Sequence, residues 1–231
     1  MRIARVVVLS LVAGSVAPLA ALAQDKPAAP PEGWVWQHDR AARAAGAADP
    51  RDTAWTFVQM PPGWHITTGP GSVLYHPDSR ASGHYSLSSE IFLFKKPTEE
   101  GYGLFFGGQA MGTDSAAYVA VLLRRDGAVS VQSFRAGAAT MIAPWMTHAA
   151  IKPNAGDQIV ENHLRVHVGA DSLRVFVNDS SVLAVPRGSL QTDGHFGFRV
   201  GRALNLHVTT LDLTRHLAPA RPAVTPPAGK D

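Results

Sequence analysis

The sequence predicts an all-β protein made of two packed antiparallel sheets. Between Trp55 and Leu217, apolar side chains recur at every second position, which is the period of a strand and not of a helix. Turn residues separate these alternating runs at short intervals. The runs are too numerous for one sheet of ordinary size, so we expect two sheets. The predicted strands are Trp64–Thr68, Ser72–His76, Gly83–Lys95, Tyr102–Gln109, Tyr118–Arg125, Ala128–Phe134, Asn162–Val168, Leu173–Asn178, Val182–Val185, His195–Val200 and Leu204–Leu213.

Three connections predict which strands pair. The dipeptide Asp126-Gly127 is typical of a two-residue primed turn, because glycine adopts positive φ without a steric cost. It predicts a hairpin from Tyr118 to Phe134. Turn residues at 169–171 and 178–180 predict that Asn162–Val185 forms a meander of three strands.

The alternation also predicts which side chains face the core. On the two strands of the meander that alternate most clearly, the inward positions are all aliphatic: Leu164, Val166, Val168, Leu173, Val175 and Val177. His163, Arg165, His167 and Arg174 then share the opposite, more hydrated face. Glu90 is predicted to lie on the outward side of its own strand, together with Phe92 and Phe94.

The N-terminus has the pattern of a cleaved secretory signal over residues 1–23. Arg2 and Arg5 precede an apolar run, and Ala21-Leu22-Ala23 provides the small residues that signal peptidase accepts. The apolar run is shorter than the roughly 20 residues that span a bilayer. We therefore expect a secreted or periplasmic protein with no transmembrane segment after cleavage.

Composition divides the remaining chain into three parts. Residues 24–54 are rich in Pro and Ala and predict a linker, and residues 55–217 predict the β-sandwich domain. Residues 218–231 contain four prolines and almost no large apolar side chain, which predicts a disordered tail.

Charge and cysteine content exclude several function classes. Without Arg2 and Arg5, 19 of the 21 basic residues remain against 18 acidic ones, a formal charge of +1. A nearly neutral chain without a Lys/Arg cluster lacks the electrostatic footprint of a nucleic-acid-binding protein. The absence of cysteine excludes disulfides, thiolate metal sites and a cysteine nucleophile.

The second half of the chain resembles concanavalin A-like domains. The resemblance lies in the strand pair 162–178, the segment Gly194-His-Phe-Gly-Phe-Arg-Val-Gly201 and the closing run Leu206–Leu213. Within this superfamily, the pattern is similar to laminin-G-like modules and to the domain named after 3-keto-disaccharide hydrolases. The resemblance implies a jelly-roll sandwich, while Asp179 stands where the family usually has glycine. These motifs are turn glycines and core alternation, which indicate a fold and not an activity.

Glycoside hydrolysis would require two carboxylates across the scissile bond. If the protein is an enzyme, Glu90 and Glu161 on neighbouring strands are the candidate pair. The E-x-D-x-x-E motif of the glucanase branch is absent, since apolar residues and a lysine follow Glu90. No elbow of the G-x-S-x-G type occurs either. The acids therefore leave the enzyme question open, with solvated strand acids as the simpler interpretation.

A metal site and a cofactor are not predicted. His163 and His167 lie four residues apart, which on a strand separates them by about 13 Å. One ion cannot bridge that distance, and the spacing provides no third ligand.

Aromatic rings and polar donors indicate a sugar ligand, because flat rings cover the C–H faces of sugars while polar groups bind their hydroxyls. The predicted ligand-binding residues are Tyr102, Trp145, His163, Arg165 and His167. We predict a secreted, non-catalytic binding module for a glycan or another cell-envelope ligand. The alternatives are a hydrolase or lyase acting on a sugar derivative, and a structural protein that pairs through an exposed apolar sheet face.

Overall fold

The computed structural model describes residues 30–39, 55–95 and 98–216, and these residues form strands, turns and loops. No helix long and apolar enough to cross a membrane occurs within those three ranges. The predicted signal peptide, the C-terminal tail and most of the predicted linker lie outside the described residues. The strands are β1 (Val35–His38), β2 (Thr56–Gln59), β3 (Trp64–Thr67), β4 (Ser72–Tyr75), β5 (Arg80–Ala81), β6 (Tyr85–Leu93), β7 (Tyr102–Gln109), β8 (Ala117–Leu123), β9 (Ala128–Arg135), β10 (Ala138–Thr147), β11 (Val160–Val168), β12 (Ser172–Val177), β13 (Ser180–Pro186), β14 (Gly194–Val200), β15 (Asn205–Val208) and β16 (Asp212–Arg215).

The strands form two sheets of eight, and the strand pairs are antiparallel. The first sheet has the order β1-β4-β14-β7-β8-β9-β10, with β5 also paired to β14. The second sheet has the order β13-β12-β11-β6-β15-β3-β2, with β16 paired to the other end of β6. The chain repeatedly crosses from one sheet to the other, as in a jelly roll. The predicted all-β, two-sheet jelly-roll fold is confirmed.

The inner faces of the two sheets pack into one core. Leu104 and Phe106 of β7 and Val121 of β8 come from the first sheet, and Ile91 of β6 and Val166 of β11 come from the second. All five are fully buried. The six aliphatic positions predicted to face inward on β11 and β12 are also fully buried, so their predicted sidedness is confirmed.

The three predicted connections of the hairpin and the meander are present, and the loop of the hairpin differs from the predicted type. Asn178 and Asp179 both have positive φ, and Val177 pairs with Ser180, so this is a two-residue primed turn without glycine. The hairpin between β8 and β9 forms as predicted, but its loop is longer. The amide of Arg124 donates to the carbonyl of Ala128, and Gly127 alone has φ of +80°. This is the geometry of a turn followed by a left-handed glycine.

Several segments differ from the sequence-based expectation. The strands β2 and β5 were not predicted, and the predicted strand Leu204–Leu213 is divided into β15 and β16, which pair with different ends of β6. Val35–His38, which we assigned to the linker, forms β1 and pairs with β4 at the edge of the first sheet. Its four residues are too few to display alternation next to a Pro-rich stretch. The unpredicted β10 is an edge strand that is mostly exposed on both sides, so it carries no regular apolar pattern.

A buried asparagine fixes the start of β11. The side chain of Asn162 is fully buried; its Nδ2 donates to the carbonyl of Lys152, and its Oδ1 accepts from the Lys152 amide. The same oxygen accepts from Nδ2 of Asn178, whose Oδ1 accepts from the His163 amide. Because every one of these polar groups is paired, the network holds β11 and its outward side chains in one register.

Candidate functional site

Each sheet has an outer face that points away from the core, and the two outer faces differ in chemistry. On the second sheet, β11 presents Glu161, His163, Arg165 and His167 outward. The pairing register places His163 beside Glu90, Arg165 beside Ser88 and His167 beside Ser86. The predicted polar face is therefore present, and the strand β6 carries Glu90 on it as expected.

Basic side chains concentrate at one end of this face. Arg174 of β12 lies opposite His167, and the guanidinium of Arg165 lies 4.6 Å above the ring of Phe176. The hydroxyl of Ser86 is 3.1 Å from Nδ1 of His167 and 2.9 Å from Nε2 of His216. Burial lowers the pKa of His167, and the nearby positive charges of His216, Arg174, Arg165 and His84 lower it further.

Histidine and phenylalanine rings fill the opposite end of the same face. His65 of β3 and His207 of β15 are paired across their strands, with ring centroids 6.4 Å apart. Phe94 packs edge-on against His65 at 4.7 Å, and Phe92 packs against His207 at 5.7 Å. Burial, followed by the charge of His65, lowers the pKa of His207. The Nδ1 atoms of both histidines are buried without a hydrogen-bond partner.

The two candidate catalytic acids share this outer face. Glu161 is paired with Phe92 and Glu90 with His163, so the two acids are diagonal neighbours, with a backbone separation of about 7–8 Å. Both are exposed, and Oε2 of Glu90 accepts a hydrogen bond from the Thr209 hydroxyl. Neither acid lines any of the clefts described below.

The outer face of the first sheet is filled by its own aromatic side chains. Tyr118 of β8 stacks on Phe134 of β9 with centroids 4.8 Å apart, and Phe105 of β7 lies 5.2 Å from Tyr118. Arg199 of β14 covers Phe134 and forms an ion pair with Asp39 at 2.6 Å. Burial raises the pKa of the Tyr118 hydroxyl to about 12. These side chains leave little of the central face open.

An open cleft lies at the rim of this aromatic cluster, where β7 ends, β8 begins and β9 ends. Its volume is about 460 Å³, and we call it the rim cleft. Its apolar lining consists of Ala117, Tyr118, Val119, Phe134 and Leu190. Its polar lining consists of Gln109, Ser115, Ser133, Arg135, Ser189 and Gln191. A smaller pocket lies beside Gln37, Asp39 and Tyr118.

The polar side chains of the rim cleft have free bonding capacity. Gln109 and Gln191 each donate Nε2 to the carbonyl of Asp193 at 2.7 Å, which leaves both amide oxygens as acceptors. The Ser133 hydroxyl and the Arg135 guanidinium have no hydrogen-bond partner within the described residues. The cleft therefore offers donors and acceptors around an aromatic wall.

A second open cleft of about 520 Å³ lies against the loop between residues 153 and 160. Its lining comes almost entirely from that loop, with Asn154, Asp157 and Gln158 as polar members. No aromatic ring lines it, so it lacks the surface that covers the C–H face of a sugar.

The predicted ligand-binding residues do not form one site. Tyr102 is 1 % exposed and belongs to the core between the sheets, so its ring is not accessible to a ligand. Trp145 lies on the outer face of the first sheet, where Arg124 covers its ring at 4.8 Å. His163, Arg165 and His167 lie on the outer face of the second sheet. The prediction thus joins residues from three separate places.

The rim cleft was not among the predicted sites, but a signal for it exists in the sequence. Along β9 the inward positions are Val129, Val131, Ser133 and Arg135, a change from apolar to polar before the strand ends. A polar residue at a core-facing position marks where the core ends and solvent enters.

No three His, Asp or Glu side chains in residues 30–39, 55–95 and 98–216 are close enough to share a metal ion. His163 and His167 lie on the same strand face, and His167 contacts Ser86 and His216 instead of His163.

Known proteins resemble this chain in structure and not in sequence. No protein-family model matches the sequence, and no curated protein matches it either. The carbohydrate-binding module CBM66 from Bacillus subtilis superposes with a TM-score of 0.57 at 16 % identity, covering 79 % of this chain and 96 % of the module. The exoplasmic/lumenal domain of VIP36 in its Ca²⁺-bound form gives 0.54 at 10 % identity, covering 81 % and 85 %. A Bacillus subtilis protein of unknown function with a galectin-like fold gives 0.52 at 10 % identity, covering 78 % and 88 %. At these identities the likeness concerns the fold alone, which agrees with the jelly-roll sandwich expected from the sequence.

Proposed function

We propose that this protein is a non-catalytic glycan-binding module that holds an uncharged sugar unit in the rim cleft. The observation that carries the proposal is the combination of an aromatic wall, Tyr118 and Phe134, with unpaired polar groups in a cleft of about 460 Å³. Sites for small ligands commonly have about 300–1,000 Å³ of space, with a few placed polar groups that fix orientation.

The chemistry of the lining favours hydroxyl groups over charged groups. The amide oxygens of Gln109 and Gln191 accept hydrogen bonds, and Ser133 and Arg135 donate them. Arg135 is the one ionised side chain in this lining and it is exposed, so solvent ions screen its charge, and the other five polar side chains of the lining are neutral.

The structural neighbours support the same class of ligand. CBM66 is described as a carbohydrate-binding module, and a VIP36 domain has been solved with Man3GlcNAc bound. The predicted signal peptide adds the proposal that the module acts in the periplasm or outside the cell, where an envelope glycan would be its ligand.

A binding experiment with matched variants tests the proposal. On an array of neutral glycans the protein should retain a subset, and Gln109→Ala should raise the dissociation constant of that subset about tenfold, the loss of one hydrogen bond. Gln158→Ala is the control, because it removes the same amide from the loop cleft. A loss in Gln158→Ala with none in Gln109→Ala would reject the rim cleft, and no retained neutral glycan would reject the function.

A second candidate function is hydrolysis of a sugar derivative, which the likeness to the 3-keto-disaccharide hydrolase domain implies. The specific observation in its favour is the diagonal placement of Glu90 and Glu161 on adjacent strands of one face, where two carboxyl groups can flank a single bond. Against it, both acids lie on an open sheet face. Consumption of a retained glycan by the protein, abolished in Glu90→Gln, would favour the enzyme over the binding module.

A further inference from the structure

We propose that the outer face of the second sheet is a separate binding surface for an acidic polysaccharide, whose carboxylate or sulfate groups bind to Arg165, Arg174 and His167. We call these three residues the cationic cluster. The surface lies on the opposite side of the sandwich from the aromatic face of the first sheet. The inference therefore goes beyond the proposed sugar site and stands without it.

The strand register builds the cationic cluster. His167 and Arg174 are directly opposite each other on β11 and β12, and Arg165 is two residues before His167 on the same face. Directly opposed side chains start about 4.5–5.5 Å apart, and successive outward side chains of one strand start about 6.6 Å apart. All three positive or protonatable groups thus reach one patch on two adjacent strands.

The arginines of the cluster have no internal counter-charge. Neither Arg165 nor Arg174 forms an ion pair within the described residues. Nε of Arg165 is buried and has no hydrogen-bond partner. A buried donor left unpaired costs about 1–3 kcal/mol, and an oxyanion ligand would reach it only if the side chain moved.

Phe176 prepares Arg165 for such a ligand. The ring supports the guanidinium at 4.6 Å, so the plane of the group is fixed, and the half-buried side chain is partly open to solvent. A fixed guanidinium edge binds carboxylate or sulfate oxygens through two parallel hydrogen bonds.

The charges around the cluster restrict anions to one end of the face. His84 and His216 flank the cluster, and Asp212 of β16 lies two strands from Arg165, on the other side of Ser88. Glu90 lies farther along the face, beside His163. Glu161 follows at the far end. An anion is therefore attracted to the His167 end and repelled from the Glu161 end.

The open shape of the surface fits an extended polymer. The cluster occupies exposed and half-buried positions on a sheet face. A polymer with repeated acidic groups makes several weak contacts on such a surface, which raises its total affinity. The chain without its predicted signal carries a formal charge near neutral, so the cluster is a local feature and not part of a basic surface.

Affinity electrophoresis of the full protein tests the inference, with polygalacturonate as the carboxylate polymer, dextran sulfate as the sulfate polymer and dextran as the neutral one. Retardation is expected in one or both acidic polymers and not in dextran, and the two acidic gels distinguish carboxylate from sulfate. Arg165→Gln and Arg174→Gln should each raise the dissociation constant about tenfold, as expected for one lost charge-assisted hydrogen bond. Retardation should weaken as salt is added, because ions screen exposed charges.

Lys152→Gln is the matched control, since it removes one positive charge from an exposed position outside the cluster. It should leave the retardation unchanged. Equal losses in all three variants would mean that net charge alone causes the retardation, and this would overturn the inference, as would absence of retardation in both acidic gels. Because Arg165 is partly buried, the exposed Arg174 gives a second measurement that does not depend on packing: unchanged binding in Arg174→Gln also overturns the inference. Gln109→Ala, in the rim cleft, should not alter binding of the acidic polymer, so each proposal fails independently of the other.

Discussion

The two outer faces of this sandwich are built from the same kind of antiparallel strand, but one carries buried aromatic side chains and the other carries polar side chains that solvent reaches. On the first sheet, Phe105, Tyr118 and Phe134 fill the outer face and are each under a tenth exposed. On the second sheet, His163 and Arg165 are only half-buried and Glu90 is exposed. A face occupied by its own rings can receive a ligand only at its rim, whereas a polar face can receive one along its length.

The difference also separates stability from binding. Buried rings contribute apolar area, about 25 cal/mol for each Å² removed from water, so the outer face of the first sheet acts as a second core. The unpaired arginine of the second sheet contributes no comparable burial and leaves a buried donor unsatisfied. Substitutions of the same type on the two faces should therefore have very different effects.

Removing one phenylalanine from each face gives the largest expected contrast. Phe105→Ala should lower the free energy of unfolding by about 3–5 kcal/mol, because the ring is fully buried and leaves a cavity. Phe176→Ala should cost only about 1 kcal/mol, since its ring is half-buried beneath Arg165. Urea unfolding of the two variants measures both values. Similar losses would show that the two faces are equally packed.

Neutralising one acid on each face gives the next contrast. Asp39→Asn removes the counter-charge of Arg199, whose side chain is 8 % exposed, and should cost about 3 kcal/mol. Glu90→Gln should change stability by less than about 0.5 kcal/mol, because the exposed carboxylate bonds only to the Thr209 hydroxyl. Thermal unfolding at low salt compares them. In the double variant Asp39→Asn/Arg199→Met, part of the loss should be recovered, and no recovery would mean that the buried charge is not its cause.

The sequence predicted the second sheet better than the first, for a physical reason. The alternation of β11 and β12 is clean because one face is apolar and the other polar, so the inward position of Val166 and the outward position of Arg165 follow directly. In β7 and β8 both faces are buried, and almost every residue is apolar. Without alternation, the sequence does not show which side of a strand faces the core. Tyr102 was therefore predicted to lie on a binding surface, although it belongs to the core.

The pattern of β9 indicates where the core ends, but the full lining of the rim cleft could not be predicted because it comes from distant parts of the chain. Gln109, Arg135 and Gln191 meet there only because β7, β8 and β9 are neighbours and the loop after β13 folds over their ends. Sequence periodicity specifies which side of a strand a residue occupies, and it does not specify which loop covers the end of the sheet. The cationic cluster, in contrast, lies on two consecutive strands of the predicted meander, so its members were already assigned to one face.

The pH dependence of stability gives the smallest contrast and should come from the second sheet. Burial lowers the pKa of both His167 and His207, and nearby positive groups add to the effect: His216, Arg174, Arg165 and His84 around His167, and His65 beside His207. Their folded-state pKa values lie below the unfolded value of about 6.5, so within that window the unfolded chain binds more protons than the folded chain. The free energy of unfolding should therefore fall as the pH decreases below about 6.5.

Gln substitutions measure the share of each histidine in that fall. His167→Gln and His207→Gln should each reduce the slope of unfolding free energy against pH, measured by urea titration between pH 7.5 and 5, because neither amide binds a proton. Arg174→Gln should reduce the slope partly, since it removes one of the charges that oppose protonation of His167.

If polygalacturonate or dextran sulfate binds to the cationic cluster, it should stabilise the imidazolium of His167 and flatten the slope in the wild-type protein but not in His167→Gln. An identical slope with and without either polymer would mean that the polymer does not affect the protonation of His167.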